Sequence, residues 1–470
     1  MKAFYLSFKN SVKKGQNIQV KVEKLAYGGE GIARINNQVI FVEGGLPGDV
    51  AEVRLHKIKH NYLQARLLKV VEASPLRQEA PCRHFGFCGG CQWQNLGYDQ
   101  QLLFKREQVI ESLQHIAEVK AEVVHPTLAS PLIFGYRNKM EFSFTAHRWL
   151  IPEELSQPDV VKGYALGLHV PDSFERVMHI EKCWLQDEVM NSILKFAQEY
   201  FNDQRFSIFN LKSHEGLLRF LVIRKSFSRN QYMVNVVTFL PAGDELRQFA
   251  RLLPEKFPNI SSIINTVNRR HAQIAFGEEE YLLYGQPFIT ENIGPFELDI
   301  SANSFFQTNS LQAENLYQIV RNYVGSGHQL IWDLYSGTGT IALFLASQAA
   351  RVIGYELVKS ALQNAYKNIQ RNHITNCEFI AGEIRQTIHT LTELPEVIVC
   401  DPPRGGMHPK IVKELLEIRP QKIVYVSCNP TTLARDLKLL MSHYWLKEVQ
   451  PVDMFPHTHH IEAVAKLERI

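Results

Sequence analysis

Apolar and polar positions alternate with a period of two along the first part of the chain. Side chains on a β-strand point alternately to its two faces, so this period predicts strands with one buried face. The pattern predicts about five short strands over 14–72 and a small β-barrel of the oligonucleotide-binding type. The clearest strand segments are 18–23, 39–42, 51–57 and 62–70. The glycine-rich turns between them are 28–31 and 44–49.

A helical period over 94–124 follows the predicted barrel, and residues 135–144 then alternate as a strand. Arg137 and Lys139 lie on one face of that strand, beside aromatic residues. Such a face suits phosphate contact and base stacking, and an ordinary solvated strand face would carry the same residues. The middle of the chain therefore has an α+β pattern with no internal repeat.

From about residue 290 onward, short apolar runs alternate with helical segments, which predicts a parallel doubly wound sheet. In such sheets, ligands bind outside the carboxyl ends of the strands. Chemically useful residues that directly follow a buried strand are therefore the first candidates for a site. The predicted buried strands are 329–334, 351–356, 397–400 and 423–426.

A glycine loop, Tyr-Ser-Gly-Thr-Gly-Thr at 335–340, follows the first of these strands. Its glycines let the backbone turn sharply and approach a ligand closely. Glu356 ends the next strand about twenty residues on, where a ribose-binding acid belongs in such folds. The loop lacks the full dinucleotide fingerprint, so a dinucleotide and a nucleoside-type cofactor both satisfy the pattern.

Cys428 follows the last buried strand in a Ser-Cys-Asn-Pro turn at 427–430, which a predicted helix continues. A thiol at the carboxyl end of a parallel strand is a candidate nucleophile. The alternative is a buried cysteine that only fills space, as free cysteines commonly do.

The composition is that of an ordinary globular protein, with 45% hydrophobic and 21% charged residues in 470, a length that suggests about three domains. No apolar run approaches the roughly 18 residues of a membrane span, and no signal-type segment opens the chain. We therefore expect a cytoplasmic protein without a membrane partner. Residues 1–75 hold 12 Lys and Arg against 6 Asp and Glu, whereas the whole chain has 51 against 48. This excess predicts a polyanion, such as RNA, as the partner of the barrel.

Seven cysteines, an odd number without an export signal, favour reduced thiols over a disulfide framework. Cys82, Cys88 and Cys91 have the spacing C-x5-C-x2-C in a glycine-rich loop and predict a metal centre. Such a centre needs a fourth ligand, for which Cys183 is the nearest remaining cysteine. His84 and His179 compete for this role, although surface positions suit them better. The spacing alone leaves zinc and an iron–sulfur cluster both open.

Several motifs resemble known families. The sequences Lys-Leu-Ala-Tyr-Gly-Gly-Glu-Gly-Ile-Ala-Arg at 24–34 and Leu-Pro-Gly-Asp at 46–49 resemble a TRAM domain, which is an RNA-binding module. The buried strand, the glycine loop, the acid and the Asp-Pro-Pro turn at 401–403, in this order, resemble class I S-adenosylmethionine-dependent methyltransferases.

A more specific resemblance comes from Ser-Cys-Asn-Pro-Thr-Thr-Leu-Ala-Arg-Asp at 427–436, beside Asp-Pro-Pro-Arg at 401–404. With Phe-Phe-Gln-Thr-Asn at 305–309 and Pro-His-Thr-His-His-Ile-Glu at 456–462, nearly the whole chain resembles the RNA uracil-C5 methyltransferase family. That family makes 5-methyluridine in ribosomal or transfer RNA. The resemblance implies a TRAM-like barrel over 1–75, an α+β iron–sulfur domain over 76–290 and a doubly wound methyltransferase domain over 291–470.

The resemblance also implies roles for individual residues. Cys428 would add to C6 of uracil and Glu462 would remove the C5 proton, although Glu462 taken alone is better interpreted as a surface carboxylate on a final strand. The three loop cysteines and Cys183 would ligate a [4Fe–4S] cluster with no open iron. The implied S-adenosylmethionine contacts are Gln307, Tyr335, Thr340, Glu356, Glu383 and Asp401.

We expect 23S rRNA as the substrate, with transfer RNA as the alternative and no obligate protein partner. An N-methyltransferase, which needs no thiol, and a non-catalytic RNA-binding protein are the competing interpretations. His457, His459 and His460 are expected to line the base pocket or to face solvent rather than to bind a metal.

Overall fold

The N-terminal alternation forms a closed barrel in a computed structural model that describes residues 12–388 and 393–470. Ala33, Ile40 and Val53 point inward and are fully buried, as the period of two predicts. The predicted five-stranded barrel is confirmed. Its strands, which pair in the order β1-β2-β3-β5-β4, are β1 (Asn17–Leu25), β2 (Gly31–Ile35), β3 (Gln38–Glu43), β4 (Val50–Ile58) and β5 (Tyr62–Glu72).

The middle of the chain forms a second sheet, of seven strands, in the order β12-β11-β10-β9-β6-β7-β8. Apolar side chains of two helices, among them Leu194, Phe201 and Phe249, join the core of this sheet. The strands are β6 (Lys139–Thr145), β7 (Ala165–His169), β8 (Val177–His179), β9 (Leu218–Ser226), β10 (Gln231–Thr238), β11 (Ile260–Val267) and β12 (Glu279–Gly285). The helices of this region are α1 (Tyr98–Ser112), α2 (Pro152–Leu155), α3 (Glu188–Asp203) and α4 (Arg247–Lys256).

A two-stranded hairpin, β13 (Phe288–Ile293) and β14 (Phe296–Ser301), joins the middle sheet to the C-terminal region. Glu291 on β13 is fully buried. Its carboxylate accepts hydrogen bonds from the Phe227 and Ser228 backbone N–H groups at 2.8 and 2.9 Å, and from the Ser310 hydroxyl at 3.0 Å. Since these donors come from both sides of the hairpin, one carboxylate ties the two regions together.

The C-terminal region is a seven-stranded sheet in the order β17-β16-β15-β18-β19-β21-β20. The strands are β15 (His328–Leu334), β16 (Ala349–Glu356), β17 (Cys377–Ala381), β18 (Val397–Cys400), β19 (Lys422–Ser427), β20 (Tyr444–Val452) and β21 (Glu462–Arg469). The helices are α5 (Ser310–Val324), α6 (Thr340–Leu345), α7 (Lys359–Arg371), α8 (Ile384–Thr387), α9 (Pro409–Ile418) and α10 (Pro430–Leu440).

The first five of these strands are parallel, as predicted, but the last two depart from that pattern. β21 inserts between β19 and β20 and is antiparallel to both. The physical reason is the short connection 453–461, because a parallel return needs a crossover of about a dozen residues or more, usually a helix. This reversal places the start of β21 at the sheet edge where β18 and β19 end.

A buried ion pair fixes the 453–461 connection. Lys105 on α1 donates to the Asp453 carboxylate at 2.6 Å, and both side chains are completely buried. The same ammonium donates to the Phe455 carbonyl at 3.1 Å. Removing one partner would leave an uncompensated buried charge, so the pair holds the connection in one position.

Within the described residues, no helix is long and apolar enough to cross a bilayer.

Candidate active site

Three acidic side chains meet at one edge of the C-terminal sheet. Asp401 directly follows β18, Cys428 directly follows β19, and Glu462 begins β21. β19 pairs with both neighbouring strands, and the Ser427–Ala463 pair sets Glu462 and Cys428 opposite each other one step further on. The sheet order therefore brings together three groups that are far apart in the sequence.

Burial governs the protonation of this acidic cluster of Asp401, Cys428 and Glu462. It raises the pKa of the Cys428 thiol to about 11, with further increases from the Glu462 and Asp401 carboxyls and a partial offset from the Arg404 guanidinium. Burial also raises the pKa of Asp401 to about 7. Glu462 is only 8% exposed, and burial followed by the neighbouring Asp401 raises the pKa of its carboxyl well above the usual range. At neutral pH the resting thiol therefore keeps its proton, and burial disfavours the ionised form of Glu462.

The turn that carries the thiol is held by its own side chains. Asn429 caps α10 by accepting hydrogen bonds from the Thr431 N–H at 3.0 Å and hydroxyl at 2.7 Å. Its amide donates to the Arg404 carbonyl at 3.2 Å, which links this turn to the Asp-Pro-Pro-Arg loop. Pro430 occupies the first turn of α10, where its missing N–H costs nothing. The motif is thus a rigid strand-to-helix turn with a thiol at its corner.

The glycine loop lies at the same edge, after β15. Tyr335 has φ +66°, an uncommon conformation for a non-glycine residue. The Glu356 carboxylate accepts from the Gly337 N–H at 2.9 Å and from the Val358 N–H at 2.7 Å. A Cβ on Gly339 would lie 2.8 Å from the Phe379 ring, so glycine is required there. The loop and the predicted ribose-binding acid are therefore braced against each other.

The other predicted cofactor residues lie near the same edge. The Gln307 backbone carbonyl accepts from the Asn138 side chain at 2.8 Å. Burial raises the pKa of the nearby Tyr317, Asp401 and Glu462 raise it further, and the Gln307 side chain lowers it. Gln307 therefore borders the acidic cluster.

Thr340 and Glu383 lie at the starts of α6 and α8. Thr340 is buried, with its hydroxyl 3.3 Å from that of Thr338. Glu383 pairs with Arg385 and accepts from Gln386 at 3.1 Å. Neither residue contacts the acidic cluster in the described hydrogen bonds, whereas Asp401, also predicted to contact the cofactor, faces Cys428 and Glu462. The roles of all six residues remain predictions.

The histidines of the 453–461 connection are not equivalent. His457 has φ +65° and is buried, and its ring stacks on Phe134 with centroids 4.1 Å apart. Its carbonyl accepts from the Gln92 and Trp93 N–H groups at 2.9 and 3.0 Å. The expectation that His457 faces solvent is therefore wrong, because its ring packs in the core, and whether it lines the base pocket stays a prediction. His459 and His460 are half-buried, and burial lowers the pKa of each to about 4.

Cys82, Cys88, Cys91 and Cys183 line one cavity of about 690 Å³. The Gly90 N–H lies 3.4 Å from the Cys88 sulfur, and the Gln94 amide donates to the Cys91 sulfur at 3.2 Å. Among the residues 12–388 and 393–470, no group of three or more His, Cys, Asp or Glu side chains is arranged to hold a metal ion. The fold therefore brings Cys183 to the three loop cysteines, but the predicted iron–sulfur centre is not confirmed.

Two further residues at the acidic cluster had no role assigned from the sequence. Arg404 follows Asp-Pro-Pro, a position that could have singled it out, and it lies near the thiol. Tyr27, from the barrel, meets the His459 ring edge to face with centroids 6.5 Å apart, and burial raises the pKa of its hydroxyl. No local signal marks Tyr27, because its contact depends on how the barrel docks.

Comparison with known proteins places this geometry in a family. A family model described as tRNA (uracil-5-)-methyltransferase matches residues 226–470, and a TRAM domain model matches residues 11–68. An uncharacterized RNA methyltransferase of Bacteroides thetaiotaomicron is 41% identical over 94% of this chain and 100% of its own length. Another from Porphyromonas gingivalis is 41% identical over 96% of this chain and 99% of its own.

A solved structure covers almost the whole fold. The Pyrococcus abyssi tRNA (uracil-54, C5)-methyltransferase, in complex with S-adenosyl-L-homocysteine, superposes with a TM-score of 0.74 and 31% identity. The match covers 96% of this chain and 100% of that one. The resemblance, the enzyme class, the TRAM domain and the methyltransferase fold predicted from the sequence are thereby confirmed.

The coupling between Cys428 and Glu462 predicts a measurable change in thiol reactivity. Replacing Glu462 by Gln removes a carboxyl that raises the pKa of the thiol, so the pH midpoint for alkylation of Cys428 should fall below about 11. At pH 9 the variant should alkylate about two- to tenfold faster. Iodoacetamide labelling over a range of pH, quantified on the Cys428 peptide by mass spectrometry, measures this. Glu468→Gln on the same strand is the control, and equal rates for wild type and Glu462→Gln would contradict the coupling.

Proposed function

The chain belongs to the tRNA (uracil-5-)-methyltransferase family, and from that premise we propose that it transfers a methyl group from S-adenosylmethionine to C5 of a uridine in RNA. The observation that carries the proposal is the Cys428 thiol, opposite the buried Glu462 carboxyl at the carboxyl ends of parallel strands. An amine methyltransferase has no need of a thiol at that position.

The chemistry accounts for both groups. C5 of uracil is a weak nucleophile, and a soft thiolate that adds to C6 pushes electrons onto C5 and makes it enolate-like. S-adenosylmethionine supplies an electrophilic methyl group on a sulfonium, which C5 attacks. Glu462 then takes the proton from C5, the C5–C6 double bond re-forms, and the Cys428 sulfur leaves C6.

The raised pKa values suit these roles. Burial raises the pKa of the thiol to about 11, so it is protonated in the resting enzyme, and its proton passes to water as the half-exposed sulfur attacks C6. Glu462 acts in its ionised form when it takes the C5 proton. A carboxyl with a pKa raised by burial is a stronger base than an exposed one, which suits Glu462 to proton removal from carbon. A uridine would have to leave its base stack to reach the acidic cluster.

We assign the cofactor to the edge of the C-terminal sheet at the glycine loop. Gln307, Tyr335, Thr340, Glu356, Glu383 and Asp401 are the proposed contacts. Glu356 has the firmest support, because its hydrogen bond with Gly337 sets an acid beside the loop where a ribose belongs. Asp401 lies toward the reacting end, where the methyl group would be transferred.

The proposed macromolecular substrate is 23S rRNA, bound in part by the basic TRAM barrel, in the cytoplasm. Transfer RNA is the second candidate. Its support is the name of the family and the tRNA specificity stated for the Pyrococcus abyssi neighbour.

The two catalytic roles predict opposite fates for a covalent intermediate. Cys428→Ala should lower formation of 5-methyluridine by at least about a thousandfold and should form no protein–RNA adduct. Glu462→Gln should lower turnover by about 10²–10⁴-fold, because proton removal is lost, and should accumulate an adduct that survives denaturing gels. Transfer of labelled methyl from S-adenosylmethionine to RNA from cells lacking the protein measures both.

Glu468→Gln, a carboxylate on the same strand and outside the acidic cluster, should behave as wild type. Activity that survives in Cys428→Ala, or label in a nucleoside other than 5-methyluridine, would overturn the proposed reaction. The mapped position of the label decides between ribosomal and transfer RNA.

We further propose that Cys82, Cys88, Cys91 and Cys183 ligate a [4Fe–4S] cluster. Four thiols face one cavity, and N–H groups donate to at least two of the sulfurs, as is common around iron–sulfur clusters. With four protein ligands no iron stays open, so the cluster would act on structure and RNA position.

Anaerobic reconstitution tests the cluster. The wild type should take up about four irons and four sulfides per chain, with broad visible absorbance. Cys91→Ser should lose most of both, and Cys377→Ser, outside the loop, should keep them. Binding of one zinc per chain without sulfide would contradict the proposal.

A further inference from the structure

The segment 302–309, between β14 and α5, carries Gln307 and forms neither helix nor strand. Gln307 and its neighbour Phe306 are half-buried, whereas Asn309 at the end of the segment is buried. A segment without a hydrogen-bonded ladder of its own must find partners for its backbone groups elsewhere in the fold. The position of Gln307 therefore depends on contacts that come from outside the segment.

Asn138, directly before β6 of the middle sheet, makes these contacts. Its side-chain amide donates to the Gln307 carbonyl at 2.8 Å and to the Ser310 hydroxyl at 2.7 Å. Its backbone N–H donates to the Thr308 carbonyl at 2.8 Å. Asn138 is only 3% exposed, so these hydrogen bonds are shielded from water. One side chain and one backbone group thus hold the segment on both sides of the Gln307 side chain.

Asn138 is itself held by its neighbours. Its carbonyl accepts from the Lys225 N–H of β9 at 2.8 Å. The preceding residue, Arg137, donates its N–H to the Leu185 carbonyl at 2.8 Å. These backbone hydrogen bonds join Asn138 to two separate parts of the middle region. The residue is therefore a fixed support for the Gln307 segment.

Arg224 on β9 holds the beginning of the same segment. Its guanidinium is buried and donates to the Ala302 carbonyl at 3.2 Å and to the Ser304 carbonyl at 2.6 Å. Arg224 pairs across the sheet with Lys139, the residue that follows Asn138. Adjacent positions of the middle sheet therefore support both ends of the segment, and the sheet sets where Gln307 lies.

The groups that face the Asn138 amide require a hydrogen-bond donor at that position. The Gln307 carbonyl can only accept. The Ser310 hydroxyl donates its own proton to the Glu291 carboxylate at 3.0 Å, so it also accepts from Asn138. An aspartate would have nearly the same shape, but its carboxylate would face two acceptors without an N–H to offer. The amide of asparagine therefore meets a chemical requirement as well as filling space.

We propose that Asn138 is a positioning residue for S-adenosylmethionine, which holds the Gln307 backbone so that the Gln307 side chain stays at the cofactor edge of the C-terminal sheet. The proposal rests on the proposed contact of Gln307 with the cofactor. Without Asn138, the segment would have to be ordered when the cofactor binds, and that loss of conformational freedom lowers affinity. The middle region thereby gains a role in the cofactor site.

Calorimetry with S-adenosylhomocysteine tests the proposal without RNA and without turnover. Titrated into the full-length protein, this ligand should bind Asn138→Asp about tenfold more weakly than wild type, because two acceptors lose their donor. Asn138→Ala should bind it about three- to tenfold more weakly, and it serves as the second variant if the aspartate does not fold. Affinity for RNA should change by less than about twofold in both variants.

Asn265 on β11 offers a matched control for loss of stability. It is also buried, and its amide donates to the Val236 carbonyl at 2.9 Å and to the Thr238 hydroxyl at 2.8 Å. Among the described hydrogen bonds, none joins it to the segment 302–309. Asn265→Ala should lower the melting temperature but keep the wild-type Kd for S-adenosylhomocysteine. Equal weakening in Asn265→Ala and Asn138→Ala would show a general structural effect and would overturn the proposal.

Gln307→Ala separates failure of this proposal from failure of the proposed cofactor contact. It should weaken binding of S-adenosylhomocysteine, and Asn138→Ala added to it should weaken binding little further, because the side chain to be positioned is gone. Wild-type affinity in both Asn138 variants, with weakened binding in Gln307→Ala, would overturn the positioning role alone. Wild-type affinity in Gln307→Ala would overturn the cofactor contact and this proposal with it.

Steady-state methyl transfer gives a second readout. Asn138→Ala should raise KM for S-adenosylmethionine by about three- to tenfold, whereas kcat at saturating cofactor and KM for RNA should change by less than about twofold. A lower kcat with an unchanged KM for S-adenosylmethionine would contradict a role in cofactor binding and would overturn the proposal.

Discussion

The close approach of three acidic groups, one buried and two half-buried, is the constraint on which the proposed chemistry depends. Removal from solvent and mutual repulsion raise the pKa values of Cys428, Glu462 and Asp401, so the thiol keeps its proton at neutral pH and the ionised form of Glu462 is disfavoured. The same environment makes the released thiolate a strong nucleophile and the ionised carboxylate a strong base. The acidic cluster therefore supplies the nucleophile and the base that the proposed methylation of uridine requires.

The rest of the fold fixes the position of the acidic cluster. The reversed strand β21 brings Glu462 to the edge, and the connection before it is fixed by the buried Lys105–Asp453 pair. The cysteine loop is attached to the same connection through backbone hydrogen bonds to His457. The barrel reaches it through Tyr27 and His459. Three remote parts of the chain thus converge on one short segment, so the position of the catalytic base depends on all of them.

Local patterns predicted much of this structure. The barrel strands were predictable because a period of two is a local property, and Cys428 was predictable because Pro430 ends a buried strand directly after it. The partnership of Cys428 with Glu462 was accessible only through family resemblance, since it depends on where β21 inserts. The burial of His457 accompanies one backbone inversion, and the contact of Tyr27 with His459 follows from docking of the barrel. Neither leaves a mark in the nearby sequence.

Covalent attack by Cys428 on uracil is the central claim, and trapping tests it most directly. An RNA substrate that carries 5-fluorouridine offers C6 to the thiolate, but after methyl transfer its C5 has fluorine where the base needs a proton, so the sulfur cannot leave. Digestion and mass spectrometry of the trapped protein should find the methylated fluorouridine on the Cys428 peptide. An adduct on another cysteine, or methylation of the RNA without any adduct, would contradict the account.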